Sequence, residues 1–292
     1  MTHQYRGGMS WERRRFLGIV LSVGTLLLFL LLHQLPPQAP LFLPISSLPQ
    51  VTTQSHTSTS LPLFLFVIPG GGSGLSTSGY PEWTSRRTSA AYQTYLQLPL
   101  SQRNHTLFLA LSAGSLNSPN RRLDDERVIF ECQKTIDHLR RLGVPQDQIF
   151  GDFVSWANGL ALRLFLEGYL ATHPTYGSVN LTVFISDFHA TRVKVSFEWI
   201  LNLTPSLLVR MDNRAPHISL VIHEVSSNGL FDHQTLQERL RHEAVGVQRM
   251  FENQKKIRTL QEFYGFLFAG GHQGLWRYLH GEYTDGGTKV GY

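Results

Sequence analysis

The sequence predicts an α/β domain with a mostly parallel sheet and helices on both of its faces. Short apolar runs alternate with longer segments of helical periodicity. The runs are apolar at nearly every position, which is typical of strands buried on both faces of a parallel sheet. Of the 292 residues, 42% are hydrophobic, which is enough for a sizeable core. We place this domain at residues 61–284, preceded by one transmembrane helix and followed by a flexible tail at 285–292.

The N-terminus predicts a membrane anchor. Residues 1–15 form a basic tail that ends in the cluster Arg13–Arg15, and residues 16–32 are an uncharged apolar run. As a helix, this run spans roughly 25 Å at about 1.5 Å per residue, which suits a thin bilayer. By the positive-inside rule, the arginines stay in the cytosol. We therefore expect a single-pass protein of the endoplasmic reticulum, the Golgi apparatus or the plasma membrane.

A cleaved signal peptide is the alternative interpretation, because a basic segment before an apolar core fits both. After Leu32 the chain continues as "HQLPPQAPLFLP", without a convincing small-x-small cleavage site before the prolines, which favours the anchor. Residues 33–60 are rich in Pro, Ser, Thr and Gln and have no hydrophobic period. They predict an extended stem between membrane and domain.

Strands and helices alternate through the domain. Each predicted strand is a short apolar run that ends at a turn, and each predicted helix has apolar residues three and four positions apart. The predicted strands lie at 61–68, 106–111, 180–185 and 217–225. The predicted helices lie at about 85–97, 125–142, 160–171 and 191–203, and the remainder after 225 is mostly helical.

Three predicted strands end in turns that suit a ligand, because open α/β sheets bind ligands outside the carboxyl ends of their strands. The turns are "PGGGSG" (69–74), "SAGS" (112–115) and "SDFHATR" (186–192). A glycine turn lets backbone N–H groups approach an anion, although a tight strand-to-helix turn explains the same glycines. The candidate ligand-binding residues in these turns are Gly70, Gly71, Gly72, Ser112, Gly114, Asp187 and Arg192.

His189 is the most suggestive single residue, because it follows a predicted buried strand and the ordinary pKa of histidine lies near neutrality. It is a candidate acid or base, and the alternative is a structural histidine. Arg192 lies one helical turn later and suits bidentate binding of a phosphate or carboxylate. The alternative for Arg192 is a surface arginine that cancels the charge of Asp187.

The sequence lacks the residue patterns of several other kinds of site. "HEAVG" at 242–246 begins like a zinc-protease motif but has no second histidine, and Cys132 is the only cysteine, so we predict no metal site. The net charge of +5 is modest and owes much to the N-terminal arginines, so we predict no nucleic-acid partner. The sequence predicts no particular cofactor or oligomeric state.

Together, "VIPGGGSG", an arginine before "AAYQTY", "LSAGS", a glutamate in the next helix, "LGVPQDQI" and "SDFHATRVKVSFEWIL" resemble the YdcF-like family, also called domain of unknown function 218. The likeness is greatest to a eukaryotic, membrane-anchored branch. It extends into "LQERLRHEAVGVQRMFEN" and "FYGFLF", so it covers most of residues 62–284.

The resemblance implies a Rossmann-like fold and a pocket shared by the turns named above. Two further residues enter that pocket through the resemblance: Arg87 as a ligand-binding residue and Glu131 as a catalytic candidate beside His189. Bacterial relatives are membrane-anchored and associated with envelope integrity. The resemblance implies no particular reaction.

One segment departs from the family pattern. Relatives carry a Ser, a Thr and an Asn after the strand that follows "GVP", and the corresponding stretch here is "VSWANGLAL". Ser155 fits the pattern, and Asn158 substitutes for the missing asparagine only through a shifted loop. Both are kept as candidate ligand-binding residues. The alternative is that the altered loop Ser155–Leu162 has removed part of the pocket.

These patterns lead to one leading hypothesis and two alternatives. The leading hypothesis is that the domain binds an anionic small molecule carrying phosphate, of the nucleotide or sugar- or prenyl-phosphate type, in envelope or glycan metabolism. The first alternative is a type II glycosyltransferase-like lumenal enzyme, which the lack of a D-x-D motif disfavours. The second is a non-catalytic family member.

Overall fold

The computed structural model describes residues 61–71, 80–113, 130–153, 155, 157–204 and 216–268. The predicted tail, membrane span and stem at 1–60, and the C-terminal tail, lie outside the described residues. Within the described ranges, no helix is both long and apolar enough to cross a membrane.

Five parallel strands form one sheet in the order β3-β2-β1-β4-β5. The strands are β1 (Leu61–Ile68), β2 (Thr106–Ala110), β3 (Ile149–Gly151), β4 (Tyr176–Ser186) and β5 (His217–Val225). The chain builds outward from β1 through β2 to β3, and then returns to the other side of β1 for β4 and β5. The order therefore reverses between β1 and β4.

Seven helices in the described residues connect and cover these strands. They are α1 (Glu82–Gln97), α2 (Leu100–Arg103), α3 (Glu131–Arg141), α4 (Asn158–Thr172), α5 (Ala190–Leu201), α6 (His233–Lys256) and α7 (Leu260–Phe268). Two short 3-10 turns, Gln146–Gln148 and Asp187–His189, precede β3 and α5.

The central strand is apolar on both faces because helices bury both. Leu63, Leu65 and Val67 of β1 pack with residues of α4 and α5. Phe66 and Ile68, which point the other way, pack with residues of α1 and α3. The alternation of side chains along a strand produces these two cores. The predicted α/β sheet with helices on both faces is confirmed.

The boundaries of the elements differ from the predictions where apolar pattern is weak. The strands at 61–68 and 217–225 match the prediction, whereas the predicted strand at 180–185 is the C-terminal half of the longer β4. β3 has only three residues and no apolar run of its own, and periodicity does not predict it. The first residues of the helix predicted at 125–142 lie outside the described residues.

Candidate functional site

The carboxyl ends of β1 and β4 lie side by side, at the position where the strand order reverses. Beyond β1 the chain continues into Pro69, Gly70 and Gly71, and beyond β4 it enters the turn Asp187–His189. In open α/β sheets, the gap between two such strand ends is the usual place for a ligand. Two of the three predicted turns therefore lie at the expected edge of the sheet.

Arg87 lies in this gap. It projects from α1 and is only 2% exposed. Its Nε donates to Ser186 Oγ at 3.0 Å, and its Nη1 donates to the carbonyl oxygen of Pro69 at 3.3 Å. Both acceptors are uncharged, and no carboxylate of the described residues forms an ion pair with Arg87. The guanidinium thus joins the ends of β1 and β4 without a described counter-charge.

Burial makes the charge of Arg87 costly. It lowers the pKa of the guanidinium to about 10, although the neighbouring Tyr80 and Glu131 act in the opposite direction. Arg87 remains a cation at neutral pH. A buried cation is expensive unless hydrogen bonds and an opposite charge compensate it.

The glycine turn packs too closely for side chains. A Cβ on Gly70 would lie 2.3 Å from Glu131 Oε2 and 3.0 Å from the backbone nitrogen of Ser112. A Cβ on Gly71 would lie 2.5 Å from Thr84 Oγ1, a buried hydroxyl without a hydrogen-bond partner. A side chain at either position would collide with its neighbours, which explains why both residues are glycines.

Glu131 and Ser112 reach the site from the neighbouring strand β2. Glu131 is the first residue of α3, and its carboxylate faces Gly70 instead of the core. Ser112 is buried just beyond β2, beside the same glycine. The structure therefore brings together Gly70, Gly71, Arg87, Ser112 and Glu131. Gly72 and Gly114 lie outside the described residues.

His189, Arg192 and Glu243 form a second polar cluster next to the first. Glu243 Oε2 lies 2.6 Å from His189 Nδ1 and 2.6 Å from Arg192 Nε, and Glu243 Oε1 accepts from Arg192 Nη2 at 3.0 Å. This bidentate ion pair joins α5 to α6. The structure thus pairs Arg192 with Glu243, not with Asp187.

The cluster holds His189 neutral. Burial and the adjacent Arg192 guanidinium lower the pKa of His189 to about 4, although the hydrogen bond with Glu243 opposes them. Burial alone would raise the pKa of Glu243, but the contacts with His189 and Arg192 outweigh it and lower that pKa to about 2. Because the carboxylate can only accept, the neutral imidazole carries its proton on Nδ1. The sequence predicts titration near neutrality, and the structure moves it to acidic pH.

The Asp187 carboxylate forms hydrogen bonds that hold the ends of β4 and β5 together. Its carboxylate accepts from the backbone nitrogen of Phe188 at 2.8 Å, and from the backbone nitrogen and hydroxyl of Ser227 at 3.1 and 2.5 Å. These bonds tie the end of β4 to the turn after β5. Among the described residues, no hydrogen bond joins Asp187 to Arg87.

Ser155 lies beside β2, and Asn158 lies at the start of α4. Ser155 donates from its backbone and hydroxyl to Asp152, and its carbonyl oxygen accepts from Ala113 at 3.0 Å. Asn158 begins α4, and its buried amide oxygen has no hydrogen-bond partner. No described hydrogen bond joins either residue to Arg87.

Sequence reasoning missed two residues that the structure places here, Arg239 and Glu243. Arg239 is 8% exposed, and its guanidinium lies 4.3 Å from the ring centre of Phe231, 5.4 Å from that of Trp83 and 5.6 Å from that of Phe188. Arg239 and Glu243 are four residues apart on α6, so they share one helix face. That spacing is the signal in the sequence, but it does not show which face is buried.

No family model, curated protein or solved structure matches this chain. The described residues also contain no group of three or more His, Cys, Asp or Glu that is arranged to hold a metal ion. The chemistry of the site follows from its own geometry: a buried arginine between two strand ends, a tight glycine turn and a neutral histidine held by an ion pair.

Proposed function

We propose that the domain binds a phosphate-bearing small molecule, of the nucleotide or sugar- or prenyl-phosphate type, at the carboxyl ends of β1 and β4. Arg87 carries this proposal. It is 2% exposed, it is charged at neutral pH, and its described acceptors are two uncharged oxygens. An anion that reaches Arg87 adds a directly bonded opposite charge through charge-assisted hydrogen bonds, which are the stronger kind.

The surroundings of Arg87 also include a glycine turn. Gly70 and Gly71 lack side chains, and a Cβ there would collide with Glu131 and Thr84, so the turn itself presents only backbone atoms. The unpartnered hydroxyl of Thr84 lies in the first turn of α1, a helix of 16 residues that begins beside the turn. A glycine turn before a helix N-terminus is a recurring phosphate-binding arrangement.

The membrane anchor at residues 16–32 and membership of the YdcF-like family complete the proposal. Both rest on the sequence: the arginine cluster before an uncharged run, and the ordered motifs from "VIPGGGSG" to "FYGFLF". We expect a C-terminal tag to be protected from protease in sealed microsomes until detergent is added. Digestion of the tag without detergent would reject the proposed topology and leave the binding proposal intact.

Thermal unfolding of the full-length chain in mild detergent tests the binding proposal. Inorganic phosphate, a nucleoside monophosphate and a sugar phosphate serve as probes. A probe at about 100 times its Kd should add roughly 2.7 kcal/mol to the free energy of unfolding, so Tm should rise by about 5–10 °C.

Two variants make this test specific. Arg87→Gln should lose the rise in Tm, whereas Arg140→Gln, which removes an equal charge from the exposed end of α3, should keep it. The proposal fails if no probe raises the Tm of the parent, or if Arg87→Gln responds like the parent.

A further inference from the structure

We propose that Ser186 is a ligand-binding residue of the same site, and that its hydroxyl donates a hydrogen bond to the anionic group that Arg87 binds. This inference rests on the proposed function and adds to it a contact at the end of β4. Ser186 is the last residue of that strand and is only 1% exposed.

Ser186 and the glycine turn contact the same guanidinium. Arg87 Nε donates to Ser186 Oγ at 3.0 Å, and Arg87 Nη1 donates to the carbonyl oxygen of Pro69 at 3.3 Å. Pro69 directly precedes Gly70. The Ser186 hydroxyl therefore lies where α1, the end of β4 and the turn after β1 meet, which is the place proposed for the phosphate.

The bond from Arg87 uses only an acceptor position of the Ser186 hydroxyl. A serine hydroxyl also has one hydrogen to donate, and a guanidinium has no acceptor that could receive it. In the part of the chain that the structure describes, no hydrogen bond uses this hydrogen. A buried hydroxyl that does not donate leaves hydrogen-bonding capacity unused, which costs free energy. A ligand oxygen next to Arg87 would accept this bond.

Ser227 shows the other use of a buried serine at a strand end. It is 4% exposed and follows β5. Its hydroxyl donates to Asp187 Oδ1 at 2.5 Å, and its backbone nitrogen donates to Asp187 Oδ2 at 3.1 Å. The hydrogen of Ser227 is thus used within the fold, whereas the hydrogen of Ser186 belongs to a hydroxyl that already contacts a buried cation.

The hydroxyl of Ser186 and the guanidinium of Arg87 together favour an ionised oxygen. Both groups are donors towards a ligand, and an ionised oxygen can accept from both at once. Hydrogen bonds to such an oxygen are charge-assisted and stronger than those between neutral groups. We therefore expect Ser186 to contribute to phosphate binding directly, in addition to its bond with Arg87.

Titration calorimetry of the full-length chain in mild detergent, with inorganic phosphate as the probe, tests the inference. Ser186→Ala should weaken phosphate binding about tenfold or more, because a hydrogen bond to a charged group is worth at least that factor. Ser186→Thr keeps the hydroxyl and should stay within about threefold of the parent affinity. Ser227→Ala is the matched control: it removes a buried hydroxyl whose hydrogen is already used, so Tm should fall while the parent affinity is kept.

The opposite result has a clear physical meaning. If Ser186 serves only as an acceptor for Arg87, Ser186→Ala frees Arg87 Nε for the anion, and the affinity stays the same or rises. That result would overturn the inference and leave the proposed function intact. Equal losses in Ser186→Ala and Ser186→Thr would overturn it as well, because packing and not the hydroxyl would then matter. A parent that does not bind phosphate would reject the proposed function itself.

Discussion

Two arginines among the described residues are fully buried, and their surroundings are opposite. Arg87 is 2% exposed and Arg163 is 1% exposed. Arg163 donates to Glu167 Oε1 at 2.9 Å and to the carbonyl oxygens of Ile200 and Leu203 at 2.9 and 2.6 Å. Arg87 donates only to a serine hydroxyl and a proline carbonyl oxygen among the described residues. Arg87 and Arg163 are therefore buried to the same degree, but their hydrogen-bond partners differ.

The difference separates a structural cation from a binding cation. Arg163 donates to carbonyl groups at and just beyond the end of α5, and it joins α5 to Glu167 on α4. The charge of Arg163 is therefore compensated within the fold. Arg87 lies where a parallel sheet opens its crevice, and no described carboxylate forms an ion pair with it. A buried charge therefore indicates function only when its partners have been identified.

The largest expected effect is on Arg163. Arg163→Met should lower the free energy of unfolding by about 3–5 kcal/mol, because it leaves the Glu167 carboxylate buried without its arginine. Tm should fall by roughly 10 °C in a thermal melt of the full-length chain. The double variant Arg163→Met with Glu167→Leu should recover most of this loss. A single variant as stable as the parent would remove the contrast between the two arginines.

Lowering the pH should lower the free energy of unfolding, because His189 then takes up a proton. The pKa of His189 in the folded state is about 4, below the ordinary value, so the unfolded chain binds the proton more readily. The stabilisation is complete above about pH 6.5 and is lost as the pH falls to 4, by an amount on the order of 3 kcal/mol. Urea unfolding measured from pH 7 to pH 4 checks this loss.

Two variants assign that pH dependence. His189→Gln should make the curve between pH 6.5 and 4 less steep and leave the part that comes from His138, whose pKa burial also lowers. The Arg163→Met and Glu167→Leu double variant retains His189 and should show the same loss as the parent. A parent whose stability is constant over this range would contradict the lowered pKa.

Arg87→Met should change phosphate binding more than stability, which is the opposite of what we expect for Arg163→Met. Removing a buried cation that has no described carboxylate partner should change the free energy of unfolding by less than about 1 kcal/mol, or raise it. Phosphate binding, measured by calorimetry, should weaken by about 1.5–3 kcal/mol through the loss of charge-assisted bonds. A large loss of stability with unchanged binding would make Arg87 a second structural arginine.

The smallest expected effect compares two glycines. Gly168 lies within α4 with no atom within 4 Å of an added Cβ, so Gly168→Ala should stabilise the domain by about 1 kcal/mol. Gly70→Ala should destabilise it and weaken phosphate binding, because the Cβ would meet the Glu131 carboxylate and the backbone of Ser112. Urea unfolding of both variants tests the difference, and an equal gain in stability would contradict the tight glycine turn.

The sequence predicts the central strand well because β1 is apolar on both faces, as expected of a strand between two cores. It predicts β3 poorly because three residues carry no periodicity. It also places the two candidate turns at the correct edge of the sheet, since parallel strands all end there.

The same reasoning predicts that the chain after residue 225 is helical, but it does not predict the buried face of α6, because the polarity pattern of this helix points the wrong way. Its buried residues are Arg239 and Glu243, while Leu240, Val245 and Phe251 are at least 40% exposed. An amphipathic pattern predicts that the apolar face of a helix is buried. Only tertiary contacts with His189, Arg192 and three aromatic rings make the charged face the inner one, and these partners are distant in sequence.

The gain in unfolding free energy on adding inorganic phosphate tests the contrast between the two arginines most directly. It is measured by urea unfolding of the full-length chain, for the parent, Arg87→Met and the Arg163→Met and Glu167→Leu double variant. At about 100 times the Kd of the parent, we expect a gain of roughly 2.7 kcal/mol for the parent and the double variant, and almost none for Arg87→Met. An undiminished gain in Arg87→Met would contradict the assignment of Arg87 as the cation that binds the ligand.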